Sequence, residues 1–278
     1  MKKLILPTID QIYGSQKISI FSKYGTRSTI SDFSILKDGF VSNNFYVNGG
    51  YSLISRTGMW YTQTIKDDNN VHVVDHRGYK TSISNLKRQC GIRPVLLCDE
   101  IVEEMHFRAL EPDLVEFQYG EYPFIIADER TSRKMELLYH LDLLEKTGKI
   151  YVTDTSRSSV DSNAIFMATD YDEYFFEGNK YIRLETLDSY CNVNILSDGQ
   201  NIHSQGIYWV KVKPIVWIMD LKTDFTISKD ILLAGIQFNN YNKTNSCFSD
   251  SDIYAYLNNI MINNIEPSLV RQKCLVRK

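Results

Sequence analysis

Glycine and proline are scarce in this 278-residue chain, 14 and 6 respectively, which leaves little material for long flexible linkers. Long apolar runs are missing too. No stretch approaches the roughly 18 uninterrupted apolar residues of a membrane span. The opening MKKLILPTID has two lysines but only three apolar residues before Pro7, Thr8 and Asp10, so no signal-peptide core forms and export is not indicated. The five cysteines, 90, 98, 191, 247 and 274, are odd in number, irregularly spaced and without a CxxC pair. They read as reduced thiols in a cytoplasm and argue against a disulfide framework or a structural zinc. There is no P-loop, no G-x-G-x-x-G, no G-x-S-x-G elbow and no cysteine with a nearby histidine, so nucleotide and acyl-transfer chemistry have no visible apparatus.

What is present is hydrophobic and aromatic: 43% and 12% of residues, with 18 tyrosines. This describes a strand-rich globular fold. The net charge of -3 conceals a split. Residues 1–98 carry 13 Lys+Arg against 6 Asp+Glu, and residues 99–278 carry 18 against 28. The split suggests two units, a basic strand-rich one over 1–104 and an acidic α+β one over 114–278, with the boundary near Glu111–Asp113 and Pro112. The opposite charges are expected first to attract one another, and second to offer a basic nucleic-acid face.

The first unit reads as short strands in NFYVN, YSLIS, MWYTQTI, VHVVD and IRPVLLC, with a hairpin from Trp60 to Asp75 turning at KDDNNV and a short helix opening at Thr8. In the second unit, RTSRKMELLYHLDLLEKTGK places Met135, Leu137, Leu138, Leu141 and Leu144 on one broad helical face that Gly148 would stop. SDSDIYAYLNNIMI predicts another helix, with Ser249 and Asp252 at capping-box spacing. EYFFEGNKYIRLE predicts a hairpin turning on Gly178 and Asn179. IYWVKVKPIVWIMDL, Ile207 to Leu221, is the longest strand signal. Its outer face changes from charged to apolar at Pro214, so the strand is expected to leave an exposed edge and enter the core there. The fold class is therefore α+β, small twisted antiparallel sheets with a few helices.

Residues that could carry chemistry are few. His72, Asp75 and His76 are the one local cluster of ligand types, but on a strand 72 and 76 share a face and 75 points away, so no metal is expected. DDNN and DYDE lack the spacing of a calcium loop and read as turns and surface. Cys90 lies beside Arg88 and Arg93, which could make it reactive, although an inert half-buried thiol is the commoner outcome. A cysteine- or metal-dependent enzyme is thus the alternative to a binding protein. The binding signal is aromatic and basic: Arg56, Trp60, Tyr61, Arg77, Tyr79, Lys87 and Arg88, residue types suited to protein hot spots and to stacking on bases or sugars. No cofactor is expected. Arg93 and Pro94 stand inside the apolar run QCGIRPVLLC. A buried guanidinium needs acceptors and proline cannot donate to a ladder, so this pair and Pro214 read as structural.

GGYSLISRTG, VHVVDHRG and GIRPVLL resemble the ending of a bacterial and phage domain family of unknown function, with motifs G-Y-W-L-R-S and G-V-R-P-A-L. That family is itself similar to C-type lectins and formylglycine-generating enzymes. VEFQYGEYP, YWVKVKPIVWIMD, LLAGIQF and SDIYAYLNN resemble the beginning of the same family, so ending-like motifs precede beginning-like ones. Leu53-Ile54-Ser55-Arg56 replaces the tryptophan-containing signature, and no cysteine pair matches the formylglycine enzymes, so their activity does not carry over. The resemblance implies a C-type-lectin-like scaffold that displays loops for recognition. It also implies a phage- or mobile-element-borne protein that binds a host or phage protein inside a bacterial host, for instance to block a defence complex. A nucleic acid is the alternative partner for the basic unit, a structural virion or surface role is the alternative function, and no membrane is involved.

Overall fold

The computed structural model describes residues 2–15, 17–23, 25–37, 39, 46–47, 50–51, 56–86, 90–97, 106–154, 167–186, 195–239 and 247–265. Strand β1 (Lys3–Ile5) leads into α1 (Ile9–Tyr13). There Thr8 and Gln11 satisfy each other's backbone: Gln11 N–H donates to Thr8 Oγ1 at 3.1 Å and Thr8 N–H donates to Gln11 Oε1 at 2.8 Å. Helices α2 (Ser19–Lys23) and α3 (Asp32–Leu36) follow, and the short strands β2 (Tyr46–Val47) and β3 (Gly50–Tyr51) pair with each other. Next comes an antiparallel meander of β4 (Trp60–Asp67), β5 (Asn70–Val74) and β6 (Lys80–Ser84), so the hairpin expected from Trp60 to Asp75 is present. The remaining elements are β7 (Val95–Leu97), β8 (Arg108–Glu111), β9 (Leu114–Ile126), α4 (Glu129–His140), β10 (Glu145–Asp154), β11 (Met167–Phe176), β12 (Asn179–Glu185), β13 (Ile207–Asp220), β14 (Phe225–Ser228), a 3-10 turn (Phe248–Asp250), α5 (Asp252–Tyr256), a π-helical segment (Leu257–Met261) and α6 (Ile262–Ile265).

The fold is α+β with antiparallel sheets, and β13 organises it. Along one side β13 pairs with β9 for almost its whole length. On the other side its first part, Ile207 to Lys211, pairs with β12, and its last part, Trp217 to Asp220, pairs with β14. The sheet thus forks into β12-β11-β10 and β14-β7-β1. Pro214 lies in the fork, between two register shifts against β9. A residue without an N–H fits where one neighbour has ended and the next has not begun. The first part of β13 is therefore central, not the exposed edge its lysines suggested. Lys211 and Lys213 reach solvent from a strand that is paired on both sides at Lys211. Opposite the fork, Gly120 adopts φ +70° in β9, and a Cβ there would run into the carbonyl of Ile265, so glycine lets α6 close over the sheet.

The expected boundary at Glu111–Asp113 is the tight connection between β8 and β9. Strands from both sides of it share the nine-stranded sheet, joined where Ile227 of β14 meets Val95 of β7. The main core likewise combines Leu4, Trp60 and Val95 with Trp217, Ile227 and Leu257. Arg93, just before β7, is buried at this junction. Its Nε donates to the Ser228 carbonyl at 2.9 Å, and its guanidinium lies 5.2 Å from the Trp60 ring and 5.9 Å from Phe21. Burial pulls it down to about 10, opposed by nearby Asp230, so it stays charged at neutral pH. The Pro94 carbonyl accepts from Ser228 N–H at 2.9 Å.

Three local expectations are corrected. The β11–β12 hairpin turns on Glu177 (φ +45°) and Gly178 (φ +78°), one residue earlier than the Gly-Asn pair suggested, because both central residues of such a turn need positive φ. Ser251, not Ser249, caps α5, accepting from Tyr254 N–H at 3.2 Å. Helix α4 stops at His140 because Asp142 enters the left-handed region at φ +55°, while Gly148 sits in β10 beside a register shift. Nor does α4 bury its leucines. Met135 is its one buried residue, packed with Tyr174, Tyr181 and Trp209, whereas Leu137 and Leu141 face solvent. Among the described residues no helix is long and apolar enough to cross a membrane.

Candidate functional site

Between β5 and β6 the chain reads Asp75-His76-Arg77-Gly78-Tyr79, and almost every polar group of this turn has a fixed partner. Asp75 is buried and acts as the hub. Its Oδ1 accepts from Arg77 N–H at 2.9 Å and from Tyr79 N–H at 2.8 Å. Its Oδ2 accepts from Arg77 Nε at 3.1 Å and Nη2 at 2.9 Å. An aspartate accepting from the amide two residues on is the turn chemistry this residue type favours. Burial alone would raise the Asp75 carboxyl, but the hydrogen bonds from Tyr79 and Arg77 outweigh it and hold it below the usual carboxylate range.

The carbonyls of the turn are held from the other side. Thr57 Oγ1 donates to His76 O at 2.8 Å, and Arg27 Nε donates to Arg77 O at 3.1 Å. Tyr13 Oη and Thr26 Oγ1 both donate to Gly78 O at 2.6 Å. Burial pushes the Tyr13 phenol up to about 12, so it remains a donor at neutral pH. Gly78 itself has φ +85°, and a Cβ there would run into Thr26 Oγ1. What this clamp leaves outside is a pair of side chains. Arg77 lies 5.6 Å from the centre of the Tyr79 ring, with 60% of its side chain exposed, and Tyr79 is 63% exposed. A rigid turn thus displays a stacked arginine and tyrosine, the residue types that dominate protein-binding hot spots.

The other residues singled out from sequence are placed elsewhere. Trp60 and Tyr61 are fully buried, so neither offers a stacking surface. Strand alternation does not separate inside from outside here because both faces of β4 are covered near its start, Trp60 by Phe21 and Tyr61 by Phe238. Arg56 is ion-paired with Asp32, a buried carboxylate that also accepts from Ile126 N–H at 3.0 Å and Ser197 N–H at 2.9 Å, so Asp32 ties α3 to β9 and the Ser197 loop and Arg56 is its counter-ion. Lys87 and Arg88 lie outside the described residues. Lys80 stands exposed at the start of β6, next to Tyr79.

The chemical alternatives find little support in the geometry. Cys90 is buried, and burial pushes its thiol well above its ordinary value, the opposite of an activated nucleophile. His72 Nδ1 lies 3.3 Å from Thr81 O, and Asp75 is occupied by Arg77 and Tyr79. Among the described residues no group of three His, Cys, Asp or Glu side chains could hold a metal ion.

The Asp-x-Arg-Gly-Tyr spacing was visible in the sequence, and an Asx-type turn followed by glycine is the signal that could have isolated Arg77 and Tyr79 from the buried aromatics. The clamp was not visible, because Tyr13, Thr26 and Thr57 lie far from the turn along the chain. No family model matches the chain, and no curated protein or solved structure matches it either.

Proposed function

We propose that the chain is a non-enzymatic recognition protein that binds a macromolecular partner through the Asp75–Tyr79 turn. The observation that carries this reading is the exposure of Arg77 and Tyr79 on a turn whose backbone is fastened by Thr57, Arg27, Tyr13 and Thr26. Side chains that are already ordered lose little further freedom on binding, which raises the affinity obtainable from a small contact. A protein partner is favoured over a nucleic acid, because the Arg77 guanidinium already donates two N–H groups to one oxygen of Asp75 and has less charge to offer a phosphate. The resemblance to phage-borne domains points to a host protein in the bacterial cytoplasm as the partner, and to inhibition of a defence complex as the purpose of binding it.

The test is quantitative capture from host extract by the full chain and by Arg77→Ala/Tyr79→Ala. One or a few host proteins should be retained by the wild type, and the variant should retain them at least about tenfold less, as expected for loss of a hot-spot pair. Equal retention by both chains removes this surface. Retention of nucleic acid that falls steeply with salt would favour the alternative partner.

A further inference from the structure

Helix α4 carries a second surface, independent of the turn. Arg130, Lys134, Leu137 and Leu141 recur at steps of four, three and four residues, the spacing of a seam along which one helix meets another. All four face solvent. Leu137 is 62% exposed, Leu141 57%, and Leu143, just past the helix, 66%. The opposite face of α4 is fully committed: Glu136 accepts from Arg183 Nη2 at 2.9 Å, Arg183 Nε at 3.1 Å and Trp209 Nε1 at 2.9 Å. The helix is therefore riveted to β12 and β13 while its leucines point away from the molecule, so the ridge is displayed and cannot rotate inward.

The charges along this ridge are unequal at its two ends. On the ridge itself Arg130 and Lys134 stand at the N-terminal end, where Glu129 beside it is paired with Arg133, and Asp142, exposed and left-handed, stands at the C-terminal end. The exposed ion pair of Lys134 with Glu177, at 3.1 Å, exchanges at little cost. We propose that the ridge binds a second copy of this chain, the two α4 helices lying antiparallel about a two-fold axis between Leu137 and Leu141. That axis sets Leu137 of one copy on Leu141 of the other. At 1.5 Å rise per residue, Lys134 then lies within about 3 Å along the axis of the partner copy's Asp142. The interface is isologous, so the leucine contact and the ion pair each occur twice, and the helix dipoles oppose. One helix ridge with two leucines per copy is a small contact beside the roughly 800 Å² per partner of a standard interface, so the association is expected to depend on concentration.

Sedimentation equilibrium of the full chain should show a monomer–dimer equilibrium, with the weight-average mass rising from 32.3 kDa towards twice that as concentration increases. Leu137→Asp/Leu141→Asp should abolish the rise while leaving the melting curve close to wild type, because both side chains are already in water. Lys134→Glu and Asp142→Lys, each alone, place like charges across the axis twice and should weaken dimerisation about tenfold. Mixing these two single variants creates a heterodimer in which both facing pairs are opposite in sign, and association should return. A chain that stays monomeric throughout, or association indifferent to the leucines, overturns the proposal. Dimers that need the leucines but are not rescued on mixing overturn its antiparallel arrangement.

Discussion

The same three-part arrangement occurs twice in this molecule, once on the surface and once beneath it. In the turn, Asp75 holds Arg77, whose guanidinium lies 5.6 Å from the Tyr79 ring. Under α4, Glu136 holds Arg183, whose guanidinium lies 4.7 Å from the Tyr139 ring. The difference is what surrounds them. Arg77 and Tyr79 project into solvent, while Arg183 is 17% exposed and its carboxylate also takes the Trp209 indole N–H. Tyr139, Tyr174 and Trp209 then pack edge to face around the site. Both carboxylates are largely covered, so the arginine makes the difference: a covered one fastens the fold, and an exposed one presents a contact surface.

Substitutions should separate the two copies sharply. The largest effect is expected from Glu136→Ala, which strands Arg183 and the Trp209 N–H in a partly buried site. About 2–4 kcal/mol of stability should be lost, read from urea unfolding. Asp75→Ala should cost less, about 1–2 kcal/mol, because water can replace some of its partners, but it should speed hydrogen exchange at the Arg77 and Tyr79 amides. Asp75→Asn resolves the pH dependence. The Asp75 carboxyl lies below its unfolded value, so its contribution is present above that value and disappears as pH falls through the folded one. The stability difference between wild type and Asp75→Asn should therefore be constant above about pH 5 and shrink as the pH falls below about 4. The smallest effect is expected from Arg77→Ala/Tyr79→Ala, which takes both Arg77 donors from Asp75 Oδ2 but leaves Oδ1 its two backbone amides, and should cost no more than about 1 kcal/mol.

Much of the fold is legible in the sequence through period and turn chemistry. The Trp60–Asp75 hairpin, the long strand through Pro214 and the Thr8 helix start are local signals, and they appear where the local chemistry places them. The fork of the sheet was not legible, because β13 changes partner between β12 and β14, and that exchange depends on residues well separated in sequence. Two misplacements share one cause. Trp60 and Tyr61 read as binding residues and are buried, and Met135, Leu137 and Leu141 read as one face of which only Met135 is buried, because periodicity reports that a face exists and not what covers it. Arg93 was legible as a buried cation needing acceptors. Its acceptor, the Ser228 carbonyl, came from 135 residues away. For the candidate site, sequence supplied Arg77 and Tyr79 but mixed them with arginines and aromatics that the fold consumes.

The claim that the turn recognises a partner while the core supports it is tested most directly by one paired measurement on Arg77→Ala/Tyr79→Ala. Its thermal melt and its capture of host protein are recorded beside those of the wild type. Melts within a few degrees of each other and a loss of capture of at least about tenfold are expected. A variant that melts like the wild type and captures as much would contradict that claim.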